Sequence, residues 1–170
     1  MKIEELSISD WVQAKLAKWE SDDANMTHPL QVKVIYGIER HNLYVDLFNP
    51  TNNTIEYSAF VEDLIPIPLT PEILEKNGFE RKQYTIDFVD VEEIEYDGYR
   101  HILCRDGVQY DIILVDSCGG YFDLEIESSH RDECGERILI SSRLSLDYVE
   151  FVHQLQHALR LAGIKKEIKV

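Results

Sequence analysis

Along the first third of the chain, apolar residues come in short runs broken by polar ones. Ile8, Trp11, Val12 and Leu16 form a first segment, Gln31 to Tyr36 and Asn42 to Phe48 are rich in valine, isoleucine, tyrosine and leucine, and Ile55 to Phe60 follows the turn cluster NPTNNT. β-Branched and aromatic residues in runs of this length, set between turn formers, predict strands. Glu20 to His28 is polar and predicts a loop. Short strands in so small a unit expose their edges unless the sheet closes on itself, so the pattern predicts a small SH3-like β-barrel over residues 1–68.

The stretch IPIPLTPEILEKNGF, residues 65–79, changes the pattern. Pro66 and Pro68 hold the residues before them extended. Thr70 then offers the hydroxyl of a helix N-cap, Pro71 stands where a missing N–H costs nothing, and Glu72 puts negative charge at the positive end of the helix dipole. Gly78 supplies the left-handed residue that ends the helix, and Phe79 is expected to fold back onto Ile73 and Leu74.

Beyond it, Gln83 to Phe88 alternates Tyr84, Ile86 and Phe88 against polar residues, as a half-buried strand does. The turn dipeptides Asp97-Gly98 and Asp106-Gly107 flank Tyr99 to Cys104 and predict an antiparallel meander, continued by Val108 to Val115, Gly120 to Ile126 and, after a polar loop Glu127 to Glu136, Arg137 to Ile140. Val149, Val152, Leu155, Leu159 and Ala162 recur at spacings of three and four, which predicts a long C-terminal helix over residues 146–162 closed by Gly163. The fold class expected is therefore α+β: the barrel, then an α+β domain over residues 69–170 made of a short helix, an antiparallel sheet and the long helix.

Charge narrows the function classes more than composition does. The 170 residues are 44% hydrophobic and 29% charged, an ordinary globular balance, but 32 acidic residues face 17 basic ones for a formal net charge of -15. A field of that sign repels phosphate backbones and anionic lipid surfaces, so no direct nucleic-acid or membrane partner is expected. Lys165, Lys166 and Lys169 make the one short basic cluster, which complements a helix C-terminus. The N-terminal residues lack an apolar run of signal-peptide length, no apolar stretch is long enough to span a bilayer, and the three cysteines Cys104, Cys118 and Cys134 lack paired spacing. A cytoplasmic protein with reduced thiols is expected.

Few residues carry the pattern of a reactive site. His153 and His157 stand at i and i+4 with Glu150 one turn earlier, a spacing at which two imidazoles can share a transition metal. The order E-x-x-H-x-x-x-H lacks the glutamate that directly follows the first histidine in zinc hydrolases, so the reading is an exposed polar stripe with no bound metal. Cys118 in DSCGGYF reads as a turn residue; a nucleophilic thiol would need His101 or His130 as its base, and neither is placed beside it by the sequence. Zinc held by Cys104, Cys118, His130 and Cys134 would lack the C-x-x-C pairs typical of such sites. Asp87, Asp90, Glu92, Glu93, Glu95 and Asp97 form an acidic run without the glycine and glutamate spacing of a calcium loop; it is a solvated edge or a surface for a basic partner. No phosphate loop, nucleophile elbow or dinucleotide fingerprint is present, and no cofactor is expected. Among the aromatics of the first region, Trp11, Trp19, Tyr36, Tyr44, Tyr57 and Phe60, Trp19 beside the polar loop is expected to be partly exposed.

Three motifs together, the opening ISDWV, the central PIPLTPEILEKNGF and the late VHQLQHALRLAG, resemble a family of small uncharacterised proteins of gut bacteria and their phages or mobile elements. That family looks to combine an opening strand of IGNYV type, a PIPLT-x-EIL segment followed by GF, and a terminal helix of HQLQN kind. Here Asp10-Trp11 stands where the family often has Asn-Tyr, and His157 near its aromatic or asparagine position. The resemblance implies an organisation and brings no catalytic residue with it. The function expected is a non-enzymatic protein-interaction module, an accessory protein of a phage or mobile element, with Trp19, Asp90, Glu92, Glu93 and Glu95 as contact candidates and an unidentified protein as partner. The alternatives are a small metal-dependent or thiol enzyme centred on His153 and His157 or on Cys118, and an acidic mimic of nucleic acid that binds a DNA-binding protein.

Overall fold

The computed structural model describes residues 6–15, 27–38, 42–86, 94–117 and 121–170. The chain divides into two compact units, residues 1–68 with 151–156 and 170, and residues 69–150 with 157–169.

The first unit is built on a five-stranded antiparallel sheet in the order β4-β3-β2-β1-β5. Its strands are β1 (Trp11–Ala14), β2 (Leu30–Ile38), β3 (Asn42–Asn49), β4 (Thr54–Phe60) and β5 (Leu64–Pro66), with the 3-10 turn Val61–Asp63 just before the last. One face of each strand feeds one core: Val12, Leu30, Val45 and Leu47 are fully buried, with Val32, Ala14 and Leu64 nearly so. The turn into β1 is fixed by Asp10, itself fully buried, whose carboxylate accepts from the Ser7 N–H at 2.7 Å and whose carbonyl accepts from Val32 N–H at 2.9 Å.

The second unit opens with α1 (Pro71–Lys76), and its ends are those the residues dictate. Thr70 is the N-cap and accepts from Ile73 N–H, Pro71 is the first helical residue, and Gly78 has φ of 80°. The amides of Gly78 and Phe79 donate to the carbonyls of Glu75 and Leu74, the paired bonds of a Schellman ending. A second five-stranded antiparallel sheet follows in the order β10-β9-β8-β7-β6, from β6 (Glu80–Ile86), β7 (Ile94–Arg105), β8 (Val108–Asp116), β9 (Phe122–Arg131) and β10 (Arg137–Val149). Ile112, Leu114, Leu124 and Ile126 share one face of this sheet and are buried. The tail is tied down by Asn77, whose amide donates to Lys169 C=O at 2.7 Å and accepts from Lys169 N–H at 2.8 Å.

The described residues are mostly β, and two expectations of the α+β reading are corrected. The first sheet does not close into an SH3-like barrel: β4 and β5 are its two edges and no ladder joins them among the described residues. β5 spans three residues bounded by Pro66 and Pro68, which have no N–H to donate to a closing ladder. The long helix over 146–162 is not formed either. Residues 146–149 are the end of β10, where Leu144 and Leu146 pair with Ile126 and Leu124, and α2 (Val152–Leu161) holds only ten residues. Leu144 and Leu146 fit a period of two as well as Val149 and Val152 fit one of three, and the neighbouring strand β9 decides between them. In the polar segment 127–136, residues 127–131 are the end of β9 and residues 132–136 form the turn, held by the Asp132 carboxylate accepting from the Cys134 and Glu136 amides.

On α2, Gln156 is 1% exposed and neither polar atom of its side chain has a hydrogen-bond partner among the described residues. A buried amide without partners costs about 1–3 kcal/mol. Gln156→Leu should therefore raise stability by about 1–2 kcal/mol in urea unfolding with an unchanged m-value. A loss of stability in the variant would show that the amide is satisfied in solution.

Candidate functional site

Strand pairing places a row of polar side chains, with Ile102 and Ile113 among them, on one face of the second sheet. Residues opposite each other in a ladder point to the same side, and the pairs Glu80↔Arg100, Arg100↔Ile113, Ile102↔Asp111, Asp111↔Glu127 and Gln109↔Ser129 run from β6 to β9 on the side away from Ile112, Leu114 and Ile126. On it, Arg100 of β7 reaches diagonally to Asp111 of β8. Its Nε donates to Oδ1 at 2.8 Å and its Nη2 to Oδ2, so one edge of the guanidinium meets both carboxylate oxygens. The Asp111 side chain is 3% exposed, whereas that of Arg100 keeps 36% of its surface in water. The bond to Asp111 raises the Arg100 pKa above its ordinary value, against a smaller opposing effect of burial.

Asp111 lies directly across from Glu127, and two carboxylates so placed repel. Arg137 of β10 offsets this: its Nη2 lies 3.7 Å from an oxygen of each, while its Nε donates to Ser129 Oγ at 2.9 Å. At the other end of the row, the Tyr84 ring lies over Gly98, and its hydroxyl is buried with no partner among the described residues. Burial raises the Tyr84 pKa, with Arg100 pulling weakly the other way, and burial raises that of Tyr99 too. Both phenols are raised, so the stability they contribute is whole below the ordinary phenol range and is lost as pH rises through the raised values.

Beside this row, where β6 begins, lies a cleft of about 330 Å³ lined by Gly78, Glu80, Lys82, Arg100, His101 and Ile102. Its origin is a mismatch of strand lengths. β6 pairs with β7 only over 94–100, whereas β7 runs on to Arg105 and is held there by β8 alone among the described residues. The chain upstream of β6 swerves away at Gly78 instead of continuing along β7. His101 Nδ1 lies 2.8 Å from the Gly78 carbonyl, which can only accept, so Nδ1 carries a proton and the ring is held against the turn. Phe79 packs beside that ring at 5.1 Å. Lys82 Nζ is 3.2 Å from Glu80 Oε2 on the open side, where the Glu80 side chain is 75% exposed.

The opposite edge of the same sheet is β10. Over residues 137–140 it is regular, paired inward with 131–128, and Ile138, Leu139 and Ile140 are all exposed, Leu139 at 61%. Register shifts after Ile140 and after Leu146 break the rest of the strand into short pieces, and Tyr148 in the second of them has φ of 63°.

The residues that the sequence singled out are not gathered here. His153 is 2% exposed with its ring stacked on Phe151 at 5.8 Å, so it is a core residue and not part of an exposed stripe. Glu150 precedes α2, and no group of three or more metal-binding side chains occurs among the described residues, so Glu150, His153 and His157 do not form one. Cys104 and Cys134 are exposed free thiols, in β7 and in the β9–β10 turn. Glu95 is exposed on β7 opposite Thr85. Trp19, Asp90, Glu92, Glu93 and Cys118 lie outside the described residues. What the sequence reading missed is the row Arg100, Asp111, Arg137, whose members are far apart in the chain. No helix among the described residues is long and apolar enough to cross a membrane. No protein-family model, no curated protein and no solved structure matches the chain.

Proposed function

We propose that the protein is a non-enzymatic protein-interaction module that takes an extended segment of its partner onto the free edge of β10. The observation that carries this reading is the exposed run Ile138, Leu139 and Ile140 on a regular stretch of edge strand. Edges of this kind are normally blunted by charge, proline or a covering element, because their free N–H and C=O groups pair readily with another chain. Here Arg137 is the one charge beside the apolar run, and β10 contains no proline. The net charge of -15 and the acids Asp132, Glu133 and Glu136 at the adjoining turn favour a partner segment that alternates apolar and basic side chains. Its role as an accessory protein of a phage or mobile element follows the resemblance of its motifs.

The test compares the full chain with Leu139→Lys, a change at an exposed position that leaves the core untouched. A partner recovered from nuclease-treated host lysate should be lost with the variant, and when bound to the native chain it should slow hydrogen exchange at residues 137–140. Equal recovery by both forms, or protection that falls elsewhere, would overturn the assignment of β10.

A further inference from the structure

We infer that the cleft at the start of β6 receives the C-terminal carboxylate of a peptide that adds as a short strand along residues 101–105 of β7. This rests on features of the opposite edge of the sheet from β10 and does not depend on the proposal made for that edge.

The first ground is an edge with no partner strand among the described residues. Residues 101–105 are extended and bonded to β8 on one side; on the other, no described strand follows β6 beyond the pair Glu80↔Arg100. In an antiparallel sheet alternate residues of such a strand turn their N–H and C=O outward, so a stretch of this length offers a few backbone hydrogen bonds to an incoming segment. The turn Asp106-Gly107, with φ of 52° and 76°, ends the edge and limits the guest to about five residues.

The second ground is direction. β6 is antiparallel to β7, and a guest prolonging the line of β6 in the same sense runs toward Glu80. Its last residue then stops against the start of β6, in the space the chain vacates by turning off at Gly78. The terminal carboxylate is thereby delivered into the cleft. The reverse orientation would deliver an ammonium group to the same place.

Charge selects between the two. Among the described residues the walls supply two cations, Lys82 and Arg100, against one acid, Glu80, which is mostly in water and already beside Lys82. Asp111 occupies only the Nε–Nη2 edge of Arg100 and holds the guanidinium in place on the sheet. His101 is held against the turn by its bond to Gly78; with the proton on Nδ1, Nε2 of the neutral ring is an acceptor, so the ring serves as a wall of the cleft and makes no bond to the carboxylate. A planar carboxylate fits a guanidinium and an ammonium converging from neighbouring strands. Ile102, 49% exposed, gives the cleft one apolar wall for the side chain of the last residue.

The experiment titrates the full chain with a randomised pool of N-acetylated pentapeptides, prepared once as free acids and once as C-terminal amides, and follows backbone amide resonances by NMR. The free-acid pool should shift the amides of residues 101–105 and of Arg100, and the amide pool should need about tenfold higher concentration for the same shift. Lys82→Ala, a change at a half-exposed surface side chain, should weaken the free-acid response several-fold while the melting curve stays where it was. Equal responses to acid and amide pools would overturn the carboxylate assignment while leaving strand addition standing. No movement at 101–105 with either pool would overturn both.

Discussion

Replacing Arg100 with methionine should cost about 3 kcal/mol, one of the largest effects expected of any single surface-facing position in this chain. The reason lies in the partner left behind. Asp111 is 3% exposed and sits opposite Glu127, so without Arg100 its carboxylate is buried beside a like charge, with Arg137 at 3.7 Å as the remaining cation. Breaking one side of a buried ion pair costs about 3–5 kcal/mol, and the surviving contact to Arg137 places this case at the lower end. The reciprocal change, Asp111→Val, should cost about 1 kcal/mol less, because Arg100 already keeps 36% of its side-chain surface in water and can turn outward. The double variant should recover much of the loss, since it removes both charges from the sheet. Thermal unfolding of the four proteins reads the cycle, with a fall of about 6–12 °C expected for Arg100→Met in a chain of this size. Equal losses for the two single variants would refute the asymmetry on which the argument rests.

The same pair shows how far the sequence could be read. Asp106-Gly107 is a two-residue turn of the kind that fixes a hairpin's register, and from it Arg105↔Val108 and every pair down to Gly98↔Val115 follow by counting. Counting further puts Arg100 and Asp111 on one face as diagonal neighbours, so this half of the polar row was within reach of the sequence. Arg137 was not, because its approach to Asp111 and Glu127 depends on β9 running unbroken through residues 127–131, which read as a polar loop. Alternation was the signal overlooked there: Leu124, Ile126 and Ser128 are buried while Asp123 is exposed and Glu125 and Glu127 are half-buried. The helix α1 was legible to its last residue, since Thr70, Pro71 and Gly78 act locally and need no tertiary partner. The end of β10 was not, for the opposite reason. Leu144 and Leu146 fit a period of two and Leu146 and Val149 one of three, and only the presence of Leu124 and Phe122 across the ladder makes them strand. Barrel closure failed as an inference because open edges were treated as intolerable, whereas both edges of each sheet are present and one of them carries the proposed function. The cleft beside β6 had no sequence signal at all; it arises from two strands of unequal length.

Gly98→Ala should cost about 2–3 kcal/mol, although the added group is a single methyl. A Cβ at this position would stand 2.6 Å from the Leu114 carbonyl oxygen and 2.7 Å from the nearest atom of the Tyr84 ring. The first neighbour is backbone of β8, paired on both sides within the sheet, and it has nowhere to go without disturbing the ladders to β7 and β9. The second is a ring whose hydroxyl is buried, so it too moves only at a cost. Overpacking of this kind costs about 1–3 kcal/mol, and a clash with central backbone belongs at the upper end. The two neighbours can be separated by experiment. In a Tyr84→Ala background the ring contact is gone and the carbonyl contact remains, so the further loss on adding Gly98→Ala should fall to about half its value in the native chain. An undiminished loss would assign the whole penalty to the carbonyl, and a loss below about 0.5 kcal/mol in the native background would show that the strand shifts freely. The outcome bears on the polar face as well as on packing. The bare backbone of Gly98 leaves room for the Tyr84 ring at the head of the row, near Arg100, and a methyl group there would push the ring from its place beside the pair that Arg100 makes with Asp111.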